Sequence, residues 1–394
     1  MREPGRRINL LTGSVRSGKT FVSLVKWALT AAASPAGAEF LMAGVTLRTL
    51  ERNCLRPLAA VAGDGWRYSL SAGRGELFGR AVWLEGAADS RAEARVRGLT
   101  LYGAYLDELT LIPREFYRML LSRLSVPGAS LWATTNPDHP RHWVMTEVIA
   151  NDKVDRAVHE FRLSDNSFLG GEYVRQLKRE YTGVFYQRYI LGRWTAAEGA
   201  VYDMFDPAVH VTAEAERAYA RYYVSCDYGT QNPCVFLLWG LCEGVWVLIR
   251  EYYYDGRAAG RQKTDQDYAE DYEEFIGGIR PRAVIADPSA ASFLVCLRGR
   301  GVPVVPAANG VLDGIRTVAG LLAERKIVIS GGCRQTIREF QSYRWDPRAA
   351  EAGEDKPLKQ NDHAMDAVRY FAYTALRTAE KGRTVARERF GGRI

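Results

Sequence analysis

The chain has 394 residues, a formal net charge of +7, 47% hydrophobic and 25% charged residues. That length exceeds what one compact core usually supports, so two domains are expected, and the composition excludes a disordered or fibrous chain. No apolar run reaches the roughly 18 residues of a membrane span, and Met1-Arg2-Glu3-Pro4-Gly5 lacks a signal-peptide core, so a soluble cytoplasmic protein without a membrane partner is expected. The excess positive charge is compatible with a nucleic-acid partner, because Lys and Arg displace counterions from phosphates. The six cysteines stand singly, with no C-x-x-C pair and no histidines at zinc-ligand spacing, and read as reduced thiols.

The apolar run Ile8-Asn9-Leu10-Leu11 reads as a strand and Phe21 to Leu29 has helical apolar spacing. Between them lies Gly13-Ser14-Val15-Arg16-Ser17-Gly18-Lys19-Thr20, which satisfies the phosphate-binding pattern G-x-x-x-x-G-K-[ST] in full. Glycines at both ends let the backbone curl so that its N–H groups face phosphate oxygens at the positive end of the following helix. Lys19 is placed to reach the β- and γ-phosphates of ATP and the Thr20 hydroxyl to hold Mg²⁺. The competing interpretation is a Gly/Ser turn that merely caps a helix.

Glu39 to Met42 reads as a second strand, Thr46 to Ala62 as a helix and Ala81 to Leu84 as a strand. Leu99 to Leu106 is an apolar strand ending in Asp107-Glu108. An acid at that point orients Mg²⁺, and its neighbour can take a proton from the attacking water, so Asp107 is the metal residue and Glu108 the catalytic base. A solvated turn is the alternative. Glu115 to Leu124 reads as a helix, and Ser130 to Thr135 as a strand whose end carries Thr135 and Asn136. In a parallel sheet those two lie beside the phosphates and can sense the γ-phosphate, although an Asn-Pro turn fits the residues equally well.

Strands alternating with helices up to about Phe161 imply a parallel sheet covered on both faces. Glu172 to Leu191 reads as helix, and the texture changes at Gly192 to Gly199, where a linker is expected. Tyr222 to Gly229, Cys234 to Trp239 and Val245 to Glu251 form an antiparallel meander. Next come a charged helix from Gln262 to Phe275, a strand from Ala283 ending at Asp287, the strand Val302 to Val305, a helix near Gly314 to Glu324 and the strand Ile327 to Ile329. A polar, mobile loop spans Trp345 to Gln360, and Asn361 to Tyr370 opens a late helix.

Asp227 and Asp287 end strands, while Asp362 and His363 share a helical face with Asp366. Acids in that order suit a two-metal nuclease, in which two ions roughly 4 Å apart activate water and stabilise the leaving 3′-oxygen. His363 is a further candidate ligand. Taken singly, each acid is equally a turn, a strand stop or a helix cap.

With these residues in view, the chain resembles the phage large terminase subunits. The matching stretches are GSVRSGKT at 13–20, LDE at 106–108, TTNP at 134–137, LSDN at 163–166, LGRW at 191–194 followed by EGAVYDMF, SCDYG at 225–229, ADPS at 286–289 and NDHAMDAVRY at 361–370. The resemblance implies an α/β chain with an N-terminal RecA-like, additional-strand ATPase on a parallel sheet, and a C-terminal RNase H-like nuclease on a mixed sheet. It implies ATP with Mg²⁺ at Gly13 to Thr20 and Asp107, coupling at Thr134 to Asn136, and nuclease Mg²⁺ or Mn²⁺ at Asp227, Asp287 and Asp366 with Asp362 and His363 nearby.

Arg16 resembles a loop arginine of the family that stabilises the γ-phosphate, and Arg91, Arg95, Arg97 and Arg123 are candidates for a finger offered to a neighbouring subunit. One departure is that only twelve residues precede the loop, where the family carries a longer adenine-contacting segment. The implied partners are double-stranded DNA, a portal protein, a small terminase subunit and further copies in a ring of about five. The implied location is the host cytoplasm, docked on the procapsid and absent from the mature virion. The expected division is ATPase 1–195, linker 196–215, nuclease 216–376 and a basic tail 377–394 that either touches DNA or the portal or is simply solvated.

Overall fold

A computed structural model describes residues 6–88, 91–213, 217–230 and 232–376. The chain divides into two compact units, one of Met1–Val174, Val184–Ala196 and Glu351–Glu354, the other of Arg175–Gly183, Ala197–Ala350 and Asp355–Ile394. The basic stretch 377–394 lies outside the described residues.

The first unit is built on strands β1 (Ile8–Gly13), β2 (Phe40–Gly44), β3 (Trp66–Ser69), β4 (Arg74–Leu77), β5 (Arg80–Gly86), β6 (Gly103–Leu106), β7 (Ser130–Thr135) and β8 (Arg156–Phe161), in the order β3-β4-β5-β2-β6-β7-β1-β8. From β5 to β8 every pairing is parallel. The central strands are buried on both faces, which is why they read as unbroken apolar runs. On one face Leu11, Phe40, Met42, Tyr105 and Trp132 pack with helix α1 (Lys19–Ala33) through Leu24, Trp27 and Ala31. Trp27 meets the Phe40 ring edge-on at 5.1 Å. On the other face Leu10, Leu41, Ala43, Leu106 and Ala133 pack with Phe116, Tyr117 and Leu120 of the helix Arg114–Arg123. Each such fully buried large side chain contributes roughly 1.5–3 kcal/mol.

The expected parallel sheet is in fact mixed, because β3 and β4 form an antiparallel hairpin that pairs antiparallel with β5. Its strands are four residues each and mostly polar, WRYS and RGEL, and only Trp66 and Leu77 are buried, so the segment lacks a strand-like apolar run.

The second unit contains β9 (Val211–Thr212), β10 (Tyr222–Asp227), β11 (Cys234–Cys242), β12 (Val245–Tyr254), β13 (Val284–Ala286), β14 (Val304–Pro306) and β15 (Ile327–Ser330), in the order β14-β13-β10-β11-β12-β15-β9. β10, β11 and β12 are the antiparallel meander, while β13, β14, β15 and β9 add in parallel, giving a second mixed sheet. Phe236, Tyr268, Tyr272 and Phe293 lie in the core between this sheet and helix α2 (Asp265–Ile276), whose Thr264 and Asp267 form a reciprocal cap. Helices α3 (Val311–Ala323), α4 (Arg334–Ser342) and α5 (His363–Phe371) follow. Along α5 every residue from Ala364 to Phe371 is buried, and Phe371 stacks on Trp239 at 4.3 Å.

The expected linker carries secondary structure, and the loop expected to be mobile is more ordered than that. The segment 196–215 contains the helix Pro207–His210 and β9, which pairs with β15. The loop Trp345 to Gln360 contains the helix Pro347–Glu351 and a bridge between Trp345 and Pro357. All six cysteines are free, and among the described residues no helix is long and apolar enough to cross a membrane.

Candidate active sites

The loop from Gly13 to Thr20 joins β1 to α1. Gly13 sits at φ +141°, and a Cβ there would lie 1.9 Å from the Phe161 carbonyl oxygen of β8, so neither its conformation nor its surroundings admit a side chain. Ser14 N–H donates to that carbonyl at 2.9 Å and Val15 N–H to Tyr189 O at 2.8 Å. The Ser17 hydroxyl donates to Ser14 O at 2.8 Å. Arg16, exposed and at φ +56°, accepts Asn166 Nδ2 on its carbonyl at 2.7 Å, which ties the LSDN stretch to the loop. Gly18, at φ +88°, begins α1 with no side-chain cap and no acid in the first turn, so that helix end presents positive dipole and free amides, the environment a phosphate needs. Thr20 lies half-buried in that turn.

Lys19 folds back over the loop. Its Nζ donates to Gly13 O at 3.1 Å, Ser14 O at 2.6 Å and Asn136 Oδ1 at 3.0 Å. Burial pulls its pKa down to about 8, against the opposing pull of the Asp107 and Glu108 charges.

Asp107, at the end of β6, is buried and held on both oxygens. Thr134 Oγ1 of β7 donates to Oδ1 at 2.8 Å, and Asn53 Nδ2 donates to Oδ2 at 3.0 Å. Glu108, half-buried, adopts φ +54°, a rare conformation for a residue with a side chain. The Thr135 hydroxyl donates to Thr110 Oγ1 at 3.0 Å and accepts from Thr110 N–H at 3.3 Å. Thus β1, β6 and β7, neighbours in the sheet, bring Lys19, Asp107, Thr134, Thr135 and Asn136 together at their carboxyl ends.

Asn53 and Thr110 were not singled out by sequence. Asn53 lies in the helical stretch Thr46 to Ala62, where a lone amide carries no signal of its own.

Of the four arginines considered as fingers, Arg95 pairs with Glu85 at 2.8 Å and Arg97 with Glu93 at 2.9 Å, while Arg123 donates to Arg97 O at 2.6 Å. Arg91 opens the helix Arg91–Val96 on an exposed position.

In the second unit, β10 and β13 pair in parallel up to Cys226 and Ala286, so Asp227 and Asp287 leave adjacent strands side by side, with α5 packed alongside. His363 Nδ1 and Asp227 Oδ2 are 2.9 Å apart. Burial raises the Asp227 pKa, reinforced by Asp366 and Asp362 and opposed by the His363 bond. Burial disfavours the His363 cation, but the hydrogen bond and charge of Asp227, with the charges of Asp362 and Glu339, outweigh it and raise the imidazole pKa. Asp287 is partly desolvated, yet its bonds from Ser289 N–H at 2.7 Å and Tyr370 Oη at 3.0 Å keep its pKa below the usual carboxylate value.

Asp366 is gripped by cations: Arg369 donates to Oδ1 at 2.8 Å and Lys359 to Oδ2 at 3.2 Å. Lys359 Nζ also lies 3.1 Å from Asp362 Oδ2, a buried oxygen with no directed hydrogen bond. The four acids and His363 therefore gather where β10, β13 and α5 meet. Among the described residues, however, no three His, Cys, Asp or Glu side chains converge closely enough to hold one ion.

Two glutamates that the sequence did not flag, Glu251 half-buried and Glu339 buried, support this region. Glu251 of β12 accepts the Gln335 and Thr336 N–H groups at 2.7 and 2.8 Å, capping α4. Glu339 of α4 is fully buried and accepts Ala364 N–H at 2.7 Å, Met365 N–H at 3.3 Å and Tyr253 Oη at 2.9 Å, capping α5. Desolvation raises the Glu339 pKa to about 7 against those hydrogen bonds.

A complete phosphate loop between a parallel strand and a helix, with an acid at the end of the next strand but one in the sheet, defines a two-unit α/β protein of the phosphate-loop class. A family model described as terminase large subunit, T4likevirus-type, N-terminal, matches residues 10–207. The large terminase of a thermophilic bacteriophage is 44% identical, with 94% of each chain covered and a TM-score of 0.89. That same phage protein in complex with ADP superposes with a TM-score of 0.86 at 43% identity, again over 94% of each chain. The terminase large subunit of Escherichia phage T5 is 23% identical over 215 residues, 52% of this chain and 48% of that protein, so the match spans about half of that curated relative. The chain belongs to the phage terminase large-subunit family.

Proposed function

We propose that this chain is an ATP-hydrolysing motor that moves viral double-stranded DNA into a capsid, and that its second half cuts that DNA. On this reading the first unit is a RecA-like, additional-strand ATPase, near residues 1–195. The second is an RNase H-like nuclease near 216–376, and 196–215 joins them. The carrying observation is the placing of Lys19 on Asn136, and of Asp107 on Thr134, around a complete phosphate loop, in a chain 43% identical to a large terminase solved with ADP and with ATP-γ-S.

In this mechanism Lys19 exchanges its loop carbonyls and Asn136 for the β- and γ-phosphates. Asn136 and Thr135 report that exchange to β7, and Thr134 passes it to Asp107. Glu108 takes the proton of the attacking water, and Arg16 steadies charge on the γ-phosphate. Mg²⁺, when bound at Thr20 and Asp107, supplies positive charge to the phosphoryl oxygens.

The donor chemistry of the second site fits Mg²⁺ or Mn²⁺, because carboxylate oxygens are the ligands these hard cations take. Asp227, Asp287 and Asp366, with Asp362 or His363, would hold them. The ions, when present, supply an activated water and stabilise the leaving 3′-oxygen. His363 orients Asp227, and Tyr370 orients Asp287. The partners on this reading are DNA, a portal protein, a small terminase subunit and further copies in a ring. The site of action is the host cytoplasm at a procapsid, with the protein absent from the finished virion.

A second reading, a DNA-dependent ATPase whose second unit binds DNA without cutting it, draws support from Lys359 and Arg369 engaging Asp366. Lys19→Ala should abolish ATP turnover and leave metal-dependent cleavage of plasmid DNA intact, while Asp287→Ala should do the reverse. Undiminished cleavage by Asp287→Ala would remove the nuclease half. Absence of ATP turnover in the unsubstituted protein would remove the motor.

A further inference from the structure

Asp362 and Asp366 are four residues apart at the start of α5, with side chains only 7% and 12% exposed. Two carboxylates so placed repel one another with little water between them, and cations beside them offset that repulsion. Arg369 and Lys359 provide them, and the two differ in kind. The Arg369 side chain is 3% exposed and also donates to Asn309 O at 3.0 Å, so it is a fixed part of the core. The Lys359 side chain is 68% exposed, and its ammonium bridges Asp362 Oδ2 and Asp366 Oδ2 at 3.1 and 3.2 Å.

The grip of Lys359 on Asp362 is charge without direction, since that buried oxygen lacks a properly aligned hydrogen bond. A flexible, solvent-facing ammonium that neutralises two buried carboxylates does for them what a divalent cation does. It also repels any dication that approaches.

We propose that Lys359 is an internal counter-ion of the carboxylate site, which must release Asp362 and Asp366 before a divalent metal ion is held there. The proposal rests on the reading of that site as metal-binding. It makes Lys359 a regulator of metal occupancy and not a ligand or a proton donor: Arg369 stays in place, and the exchange is one ammonium out for one dication in. The structural alternative is an exposed ion pair with no effect on the site. Such pairs contribute little, so removing this one would leave metal affinity where it was.

The test is direct Mn²⁺ binding to the full chain, followed by the electron paramagnetic resonance signal of free Mn²⁺ at low ionic strength. Asp227→Asn identifies the fraction of binding that belongs to this site. Lys359→Gln should tighten that fraction by about fivefold, the upper end of what an exposed charge contact is worth, whereas Lys359→Arg, which keeps the charge, should not.

A gain below twofold, or weaker binding, in Lys359→Gln would overturn the counter-ion role while leaving the metal site standing. If neither the unsubstituted chain nor Lys359→Gln shows Mn²⁺ binding sensitive to Asp227→Asn, the metal site itself falls, and the counter-ion with it. Because Lys359 is solvent-facing, thermal melts of both variants should match the parent, so a change in binding cannot be ascribed to misfolding.

Discussion

Lys19 Nζ donates to Asn136 Oδ1 at 3.0 Å, so the cation of the phosphate loop and the polar end of β7 form one hydrogen-bonded unit. The lysine is buried, and its pKa is drawn down to about 8 by desolvation. Phosphate oxygens set an anionic partner against the charge in place of neutral ones and return the pKa toward its ordinary value of 10.5 or above. ATP binding should therefore take up close to one proton near pH ~9 and less than about a tenth of a proton at pH ~7. Titration calorimetry in buffers of different ionisation enthalpy measures this. A buffer-independent heat at the higher pH contradicts it.

Asn53 holds Asp107 Oδ2 at 3.0 Å from outside any recognised motif. Asn53→Ala should leave the melting temperature within a few degrees of the parent and lower ATP turnover roughly tenfold, by loosening the carboxylate rather than removing it. Asn53→Asp, which sets a second negative charge against Asp107, should cost more. Equal kcat for Asn53→Ala and the parent would show that Thr134 alone fixes the carboxylate.

Gly13 and Gly18 both have positive φ, but only Gly13 is crowded, with Phe161 O 1.9 Å from the position of an added Cβ. Gly13→Ala should destabilise the first unit by roughly 3 kcal/mol, because β1 or β8 must shift. Gly18→Ala, which meets nothing within 4 Å, should cost only about 1–2 kcal/mol of backbone strain. Urea unfolding of the two variants checks the order.

Glu339 has a folded pKa of about 7, above the value of 4.5 for an unperturbed glutamate. Between those two values the folded chain binds the proton more tightly than the unfolded one, so this residue subtracts stability as pH rises from 4.5 to about 7, with no further change above. Glu339→Gln carries no such titration. The parent should lose ground to the variant across that window by at most ~3 kcal/mol, and parallel stability curves would refute the assignment.

The phosphate loop was legible because its chemistry demands a fixed spacing within eight consecutive residues. The acids at strand ends were legible because apolar runs stop at them: Asp107, Asp227 and Asp287 each close a buried strand. The hairpin of β3 and β4 was not legible, since its polar, four-residue strands gain their order from pairing with β5. Nor were Asn53, Glu251 and Glu339, whose roles depend on partners 54, 84 and 25 residues away. No local pattern records such a partnership. The basic stretch 377–394 lies outside the described residues, so its two readings stand as the sequence left them.

The two glutamate caps are arranged in series. Glu251, in the antiparallel meander, grips the amino end of α4, and Glu339 on α4 grips the amino end of α5. The alignment of Asp366 and His363 is thus inherited from a strand that carries neither. Tyr253 of the same strand also donates to Glu339, so β12 braces both caps, a stay anchored at two points.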